Sequence, residues 1–330
     1  MIDAGRGVRN RPSPNRTADG KAISRPVRPL LKWAGGKRQL LPQLRRFYPH
    51  GFGRYIEPFF GSGAVFFDLY QAGRLWNHDA VLIDSNADLI GCYEVVRDRP
   101  DEVARELDAL AEVHARDGEA HYYAIRDLQF NPLRARLRHA DGHIAYTPQL
   151  AAMLIYLNRT GFNGLFRLNA GGAYNVPAGR YAHPKISDRP KLLGVAGALA
   201  GPRVQVRRDS FETALEIAEA GDFLYIDPPY APVSATANFT SYTASGFTLR
   251  DQERLQGAVI ALASRGCHVL VSNSTAGEIA ALYDTNVAAR AAGLRTTRVP
   301  ARRAVNSDAT RRGRIEEFLI SNIQPEAEWA

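Results

Sequence analysis

Four consecutive residues, Asp227-Pro228-Pro229-Tyr230, follow the short apolar run 223–226. That run is aromatic and β-branched and stops at prolines, which predicts a buried strand. The two prolines fix two φ angles and remove two N–H donors, so the strand end presents a carboxylate, backbone carbonyls and an aromatic ring. Two such acceptors can hold both hydrogens of a planar aromatic amine and localise its lone pair, while Tyr230 stacks on the ring. Alone, the motif also fits a turn that merely closes a strand.

A glycine-rich turn follows a second predicted strand near residue 56. The segment Glu57-Pro58-Phe59-Phe60-Gly61-Ser62-Gly63 precedes an apolar helical pattern, and the next strand, 80–83, ends at Asp84. Doubly wound sheets bind adenosine in this way, with backbone near the ligand and a carboxylate on the ribose hydroxyls. Phe66 replaces the third glycine of the dinucleotide fingerprint, and Glu57 would repel a pyrophosphate but tolerate a cationic sulfonium. A nicotinamide-dependent enzyme is therefore the weaker alternative.

Two adjacent glycines stand between an indole and an ammonium group in Trp33-Ala34-Gly35-Gly36-Lys37. The spacing of a P-loop is absent, and Arg38 replaces its Ser or Thr, so a nucleoside triphosphate site is not expected. The glycines permit close approach of the backbone to a ligand that Trp33 and Lys37 would flank.

Side chains suited to reading bases are interleaved with glycines from residue 158 to 181. Arg167 can make a bidentate contact to guanine, Asn163 an amide contact to a base edge and Leu165 an apolar contact to a thymine methyl group. Phe162 can enter the stack that an extruded base leaves. A surface β-hairpin without such a role is the alternative that spacing leaves open.

The net charge of +8 is concentrated in two segments. Residues 1–29 carry seven Arg or Lys against two Asp, and residues 286–314 carry eight Arg against one Asp. This distribution favours a nucleic-acid partner, and a solvated basic loop is the alternative that charge alone leaves open. No stretch approaches the roughly 20 apolar residues of a membrane span, and no secretory h-region is present. Two cysteines indicate reduced thiols in a cytoplasm, and no His or Cys pair has metal-ligand spacing, so no metal is expected.

Six segments together match one family. They are K-W-A-G-G-K at 32–37, E-P-F-F-G-S-G at 57–63, D-S-N-A-D-L-I at 84–90, L-N-R-T-G-F-N-G-L-F-R at 157–167, Y-N-V-P-A-G-R-Y at 174–181 and D-P-P-Y-A-P-V-S-A-T-A-N-F-T-S-Y at 227–242. From Leu30 to about Ile320 the chain resembles the Dam family of DNA adenine methyltransferases. Phe162 stands where that family often has Tyr, which keeps an aromatic wedge but loses a phenolic hydrogen bond.

The resemblance implies roles for individual residues. S-adenosylmethionine is expected to be bound by Trp33, Lys37, Glu57, Phe59, Gly61, Gly63, Asp84 and Asp227. The catalytic residues are expected to be Asp227, Pro228, Pro229 and Tyr230. Recognition of the target, with GATC as the expected sequence, is expected from Phe162, Asn163, Leu165, Arg167, Pro177, Arg180 and Tyr181.

The expected fold is α/β, a Rossmann-like methyltransferase sheet with an inserted, mostly helical target-recognition domain. Residues 30–85 and 191–330 are expected to form the catalytic domain, residues 86–190 the insert and residues 1–29 a disordered basic tail. The expected protein is a monomeric, cytoplasmic, site-specific methyltransferase. It would act on adenine in double-stranded DNA with base flipping.

Two alternatives to methylation of adenine in DNA are a related amino-group methyltransferase and a DNA-binding protein without catalysis. Cytosine N4 or RNA adenine would need the same amine acceptor, and a catalytically inactive DNA-binding protein would need neither Asp84 nor Asp227. Cytosine C5 methylation needs an activated cysteine, but Cys92 and Cys267 lie in apolar segments typical of core residues.

Local signals predict the remaining elements. A helix is predicted over 101–131, another from a Thr147 cap to Leu157, and a third over 249–264 with Thr248 as its cap. Further strands are predicted at 267–272, 295–299 and 315–321. A mobile loop is predicted at 234–242, and a phosphate-binding loop is predicted around Arg302, Arg303, Arg311 and Arg312.

Overall fold

A computed structural model describes residues 26–33, 35–231, 247–302 and 314–326. Three predictions lie outside these ranges: most of the basic tail, the loop at 234–242 and the arginine-rich loop after Arg302. Within them, Val27 is already buried, and its backbone N–H donates to Gln71 Oε1 over 2.8 Å. Packed chain therefore begins before the predicted boundary at residue 30.

Seven strands of the described residues form one mixed sheet. They are β1 (Tyr55–Glu57), β2 (Ala80–Asp84), β3 (Val204–Arg208), β4 (Phe223–Ile226), β5 (His268–Ser274), β6 (Arg295–Arg302) and β7 (Arg314–Ser321). Their order is β3-β2-β1-β4-β5-β7-β6, and β7 is antiparallel to both of its neighbours. The predicted α/β class is confirmed.

The strand order reverses direction at the centre of the sheet. From β1 the chain moves outward to β2 and β3, and it then returns to β4 on the other side of β1. Tyr55 of β1 is in register with Ala80 of β2 and with Phe223 of β4, and all three strands are parallel. Their carboxyl ends therefore meet at one edge, at the topological switch point where doubly wound sheets bind ligands.

Helices cover both faces of the sheet. They are α1 (Leu41–Leu44), α2 (Ala64–Gln71), α3 (Ala87–Asp98), α4 (Pro100–Tyr123), α5 (Asn131–Arg136), α6 (Pro148–Thr160), α7 (Arg189–Leu199), α8 (Thr213–Ile217), α9 (Leu249–Ser264), α10 (Gly277–Tyr283) and α11 (Val287–Ala291). No helix within the described ranges is long and apolar enough to cross a bilayer.

Successive side chains of β4 enter different apolar clusters, because a strand alternates its faces. Phe223 and Tyr225 pack in the cluster that includes α2, α3, α6 and α7, whereas Leu224 and Ile226 pack with α9 and α10. The first cluster also contains residues of the predicted insert, among them Val103 of α4 and Val176 of the later segment. The predicted insert at 86–190 therefore shares its core with the sheet.

The helix predicted over 101–131 is not continuous. Inside α4, Gly118 has a φ of 52°, a conformation open to glycine because it lacks a Cβ. A π-helical segment, Ala124–Phe130, then leads into α5, whose first turn contains Pro132. Proline lacks the N–H that a continuous helix would require at that position.

Helix caps predicted from the sequence are present. Thr147 accepts a hydrogen bond from the Leu150 N–H, although α6 continues to Thr160. Thr248 and Asp251 form a capping box, and α9 has the predicted bounds. These signals involve residues close together in the chain, so they can be read from the sequence without knowledge of tertiary contacts.

A buried ion pair joins α3 to α5. Arg134 donates to both carboxylate oxygens of Asp88 over 2.6 and 2.7 Å, and the two side chains are only 7% and 4% exposed. The Tyr146 hydroxyl donates to the same carboxylate, and a third arginine N–H donates to the Gly172 carbonyl. This cluster fixes the helix after β2 to the segment that contains residue 172.

Candidate active site

An ion pair lies where β4 ends. Asp227 follows Ile226, and its Oδ1 lies 2.8 Å from Nζ of Lys37, in the 3-10 turn Lys37–Gln39. The Lys37 side chain is 5% exposed and that of Asp227 18%. Lys37 also donates to the Gly35 carbonyl over 2.6 Å and lies 4.5 Å from the centre of the Tyr230 ring. The segments around residues 37 and 227 thus form one site.

Asp227 receives a second hydrogen bond at the same oxygen. Ser272 Oγ on β5 donates to Oδ1 over 3.0 Å. Burial raises the pKa of Asp227, and the charge of Lys37 and the hydrogen bonds from Lys37 and Ser272 oppose that shift. Both donors meet Oδ1, and among the described residues no donor is bonded to Oδ2, whose lone pairs can accept a further hydrogen.

The residues after Asp227 are held by contacts from three elements. Gln252 of α9 donates to the Pro229 carbonyl over 2.9 Å, and the Tyr230 hydroxyl donates to Glu317 of β7 over 2.7 Å. Among the described residues no donor reaches the Pro228 carbonyl. Within the described part of the chain, the strand end therefore presents a fixed aromatic ring, a carboxylate and a carbonyl that no donor reaches.

Asp84, at the end of β2, lies against the glycine turn. One of its oxygens accepts from the Gly61 N–H and the other from the Asn86 N–H, each over 2.9 Å. Burial raises the pKa of Asp84, and these backbone donors oppose the shift. Gly61 and Gly63 have φ angles of 48° and 70°, and a Cβ on Gly63 would lie 2.4 Å from the Phe60 ring. The turn therefore requires glycine for both conformation and space.

Glu57, at the end of β1, is 2% exposed and accepts from the Tyr55 hydroxyl over 2.8 Å. Burial raises the pKa of Glu57 well above its ordinary value, the Tyr55 hydrogen bond opposes this, and the charge of Asp227 adds to it. The carboxyl groups of Glu57, Asp84 and Asp227 thus end three neighbouring strands.

Aromatic rings border the same edge. Phe59 stacks on Phe211, with centroids 5.4 Å apart, and meets Phe247 edge-on at 5.8 Å. Trp33 stacks on Phe166 at 5.5 Å, on the side of the turn where Gly61 lies. Phe211, Phe247 and Ser272 also lie at the site, although their places in the sequence did not predict it. The signal that could have found Phe211 is its place shortly after β3. The neighbouring parallel strands β1, β2 and β4 each lead into a carboxyl group that faces the site, so a residue following β3 is expected there too.

Residues 161–178 form a hairpin whose tip is exposed. Gly161 is bridged to Ala178 and Leu168 to Tyr174 in antiparallel pairs. Most of the side chains predicted to read a target are exposed, and Leu165 is half-buried. The exposed ones are Phe162, Asn163, Arg167, Pro177, Arg180 and Tyr181.

Two polar residues fix this hairpin. Asn175 accepts from the Arg167 guanidinium through its side chain over 2.8 Å and through its carbonyl over 3.2 Å. Buried Asn158 exchanges hydrogen bonds with the Lys32 backbone and donates to the Gly164 carbonyl. The hairpin base is therefore attached to the segment that carries Trp33 and Lys37.

A basic cleft of about 440 Å³ opens beside the hairpin. Its cationic side chains are Lys32, Arg159, Arg180 and Lys185, with Tyr181, Ala182, His183 and Pro184 completing the walls. Lys32 Nζ lies 3.5 Å from the Tyr181 hydroxyl and 4.7 Å from the centre of its ring. Burial lowers the pKa of Arg159. The cleft thus concentrates positive charge next to the predicted recognition residues.

Comparison with known proteins places this arrangement in a family. The profile described as "D12 class N6 adenine-specific DNA methyltransferase" matches residues 33–297. The type II methyltransferase M1.LlaDCHI of Lactococcus lactis is 36% identical, over 90% of this chain and 95% of its own. The type II methyltransferase M.MjaIII of Methanocaldococcus jannaschii is also 36% identical, over 90% and 99%. The DNA adenine methylase of Escherichia coli is 34% identical, over 88% and 94%.

The matched range begins at Trp33 and contains the three strand-end carboxyl groups, the hairpin and the ion pair at Asp227. The chain belongs to the D12 class of N6 adenine-specific DNA methyltransferases.

Proposed function

We propose that this enzyme binds S-adenosylmethionine at the switch point of the sheet and methylates the N6 amine of a flipped adenine in GATC duplexes. The observation that carries the proposal is the carboxylate of Asp227, held by Lys37 at the same sheet edge as the glycine turn and Asp84. An amine acceptor and an adenosine-binding arrangement thus share one site.

The residues at this edge fit the methyl donor. Asp84 is oriented by two backbone N–H groups and keeps lone pairs for ribose hydroxyls. The Phe59, Phe211 and Phe247 cluster offers apolar surface to a flat heterocycle. The carboxyl groups of Glu57 and Asp227 suit the positive charge of a sulfonium. When bound, the donor supplies an electrophilic methyl group with a good leaving group.

The chain's own residues would act on the amine. Asp227 Oδ2 and the Pro228 carbonyl accept its two hydrogens, and Tyr230, fixed by Glu317, stacks on the base. The barrier falls mainly because the amine is aligned with the methyl carbon. Since the proton can leave after transfer, no strong general base is required.

Target reading is assigned to the exposed hairpin in the inserted segment 86–190. Arg167, with its guanidinium oriented by Asn175, would contact guanine, and Asn163 would contact a base edge. Leu165 and Pro177 would meet thymine methyl groups or ring edges. Phe162 is 47% exposed and would fill the stack after the adenine leaves it.

The basic cleft supports a duplex substrate. Lys32, Arg159, Arg180 and Lys185 lie together beside the hairpin, and cations so placed bind backbone phosphates and set the register of the protein on DNA. Phosphate contacts of this kind position the base-reading side chains without reading sequence themselves.

A methyl-transfer assay tests the proposal. Wild-type protein is incubated with methyl-labelled S-adenosylmethionine and with duplexes that contain GATC or a single-base change in it. Product adenine is located by nucleases sensitive to GATC methylation. Asp227→Ala should lower kcat by at least about 100-fold, on the scale of losing one preorganised polar contact. The exposed Glu278→Ala variant serves as a control.

Each result bears on one part of the proposal. Near-normal turnover by Asp227→Ala would refute the amine-acceptor role. Equal labelling of GATC and altered duplexes would refute the assignment of GATC as the target sequence. Label on cytosine or on RNA, in place of adenine in duplex DNA, would refute the proposed substrate.

A further inference from the structure

A chain of buried hydroxyl groups lies behind Asp227. Ser272 Oγ is 3.0 Å from Asp227 Oδ1 and 2.9 Å from the Tyr225 hydroxyl oxygen. Both hydroxyl-bearing side chains are buried in the sheet. The parallel pairing of Ile226 with Val271 brings the next residue of each segment side by side. The contact of Ser272 with Asp227 is therefore built into the register of β4 and β5.

The direction of these hydrogen bonds follows from counting protons. A serine hydroxyl has one hydrogen, and Ser272 donates it to the carboxylate of Asp227. The Tyr225 hydroxyl must then donate to Ser272. Burial, and next the charge of Asp227, raise the pKa of Tyr225 well above its ordinary value, so the phenol keeps its proton. The chain runs Tyr225 to Ser272 to Asp227, and hydrogen bonds in such a series strengthen one another.

We propose that Ser272, supported by Tyr225, is a positioning residue for the methyl-transfer reaction. It holds Asp227 Oδ1 together with Lys37, so that Oδ2 faces the target amine and the carboxylate stays ionised. This inference rests on the proposed role of Asp227 as amine acceptor. Ser272 itself lies beneath the carboxylate and needs no contact with the substrate.

A buried serine elsewhere in the sheet shows what a purely structural role looks like. Ser321 Oγ, on β7, donates to the Val269 carbonyl over 2.6 Å and accepts from the Ile323 N–H. Both partners are backbone groups, one on β5 and the other just after β7. Ser272 instead donates to the one carboxylate on which the proposed reaction depends, and it takes its own hydrogen bond from a side chain.

The pH response of Asp227 depends on every group that faces it. Lys37 and Ser272 favour its ionised form, and burial and Glu317 oppose ionisation. Glu57 on β1, Tyr225 on β4 and Tyr230 also lie within electrostatic range, as shown by their own pKa values, which the charge of Asp227 raises. Removing the Ser272 hydroxyl leaves the other groups unchanged, so the pKa of Asp227 should rise.

The test compares Ser272→Ala, Tyr225→Phe and the matched control Ser321→Ala in the full-length enzyme. Single-turnover methylation of a GATC duplex is measured across pH, and donor affinity by equilibrium binding. A duplex with 2-aminopurine at the target position reports flipping by fluorescence. That base carries its amine at position 2, so its flipping does not depend on the Asp227 contact to N6.

Ser272→Ala should lower the single-turnover rate about 10- to 100-fold, the scale of one hydrogen bond to a charged group. The acid limb of its pH–rate profile should move to higher pH, because a carboxyl group protonated at Oδ2 presents a donor to the amine in place of an acceptor. Donor affinity and 2-aminopurine fluorescence should stay as in the wild type. Tyr225→Phe should act in the same direction with a smaller effect, and Ser321→Ala should leave the pH profile unchanged.

The inference fails if Ser272→Ala folds and keeps the wild-type rate and acid limb. It also fails if Ser321→Ala shifts the limb equally, because any lost hydroxyl would then suffice. If Ser272→Ala does not fold, Tyr225→Phe alone decides. Asp227→Ala, measured in parallel, separates the two proposals: an active variant overturns the proposed function, whereas an inactive one with wild-type Ser272→Ala overturns only the inference.

Discussion

Replacing Arg134 by methionine should be among the most destabilising single changes outside the sheet. Arg134 makes two charge-assisted hydrogen bonds to Asp88 and one to the Gly172 carbonyl, and both members of the pair are buried. In Arg134→Met the carboxylate keeps the Tyr146 hydroxyl and its place in the first turn of α3, where the helix dipole favours an anion.

The magnitude follows from these contacts. Removing one partner of a buried pair costs about 3–5 kcal/mol, because the other charge stays buried and uncompensated. The remaining donor and the helix dipole place the expected loss near the lower limit, at about 3 kcal/mol. The Arg97–Asp98 pair supplies a control, since Asp98 is 55% exposed, and Arg97→Met should cost less than about 1 kcal/mol.

Urea unfolding followed by circular dichroism gives the free energies. A double variant, Asp88→Asn with Arg134→Met, removes the unpaired charge and should recover part of the loss. The reasoning is refuted if Arg134→Met costs no more than Arg97→Met. It is equally refuted if the double variant is no more stable than Arg134→Met alone.

Three further predictions concern recognition, helix capping and the glycine turn. Arg167→Ala should cost about 1–3 kcal/mol of discrimination at one base pair in competition binding; an equal loss on all sequences would indicate a phosphate contact. Thr248→Ala removes the α9 capping box and should lower the free energy of unfolding by about 1 kcal/mol, whereas no change would mean that packing alone sets the helix start. Gly63→Ala forces a Cβ into the buried Phe60 ring at a φ of 70° and should cost about 2 kcal/mol or more. Gly277→Ala, which meets open space, is its control, and equal stability of the two variants would contradict the steric account.

The parts of the site that sequence predicted depend on chemistry between neighbouring residues. The two prolines after Asp227 define a rigid strand end wherever they occur, and Thr248 with Asp251 caps a helix through local contacts. Asp84 is recognisable because it ends an apolar strand after a glycine turn. The fold class and these elements were therefore predictable, and the family comparison confirms the class of enzyme.

The parts that sequence missed depend on register and tertiary packing. Ser272 contacts Asp227 only because β5 pairs with β4. Nothing around Ser272 in the chain distinguishes it from Ser321. Phe211 and Phe247 meet Phe59 from distant segments. The helix predicted over 101–131 was wrong as one element, because the apolar periodicity continues through Gly118, where the backbone turns.

The shared core of insert and sheet limits how this enzyme can be retargeted. Tyr174 and Val176 are anchored among the same apolar side chains as the central strands, whereas Phe162, Asn163 and Arg167 face outward. Exchange of the whole segment with that of a relative would disturb the catalytic half, but variation at the outward positions would not. Under the proposed assignment of target reading to the hairpin, new target sequences should arise by changes at these few exposed side chains, with the interior kept unchanged.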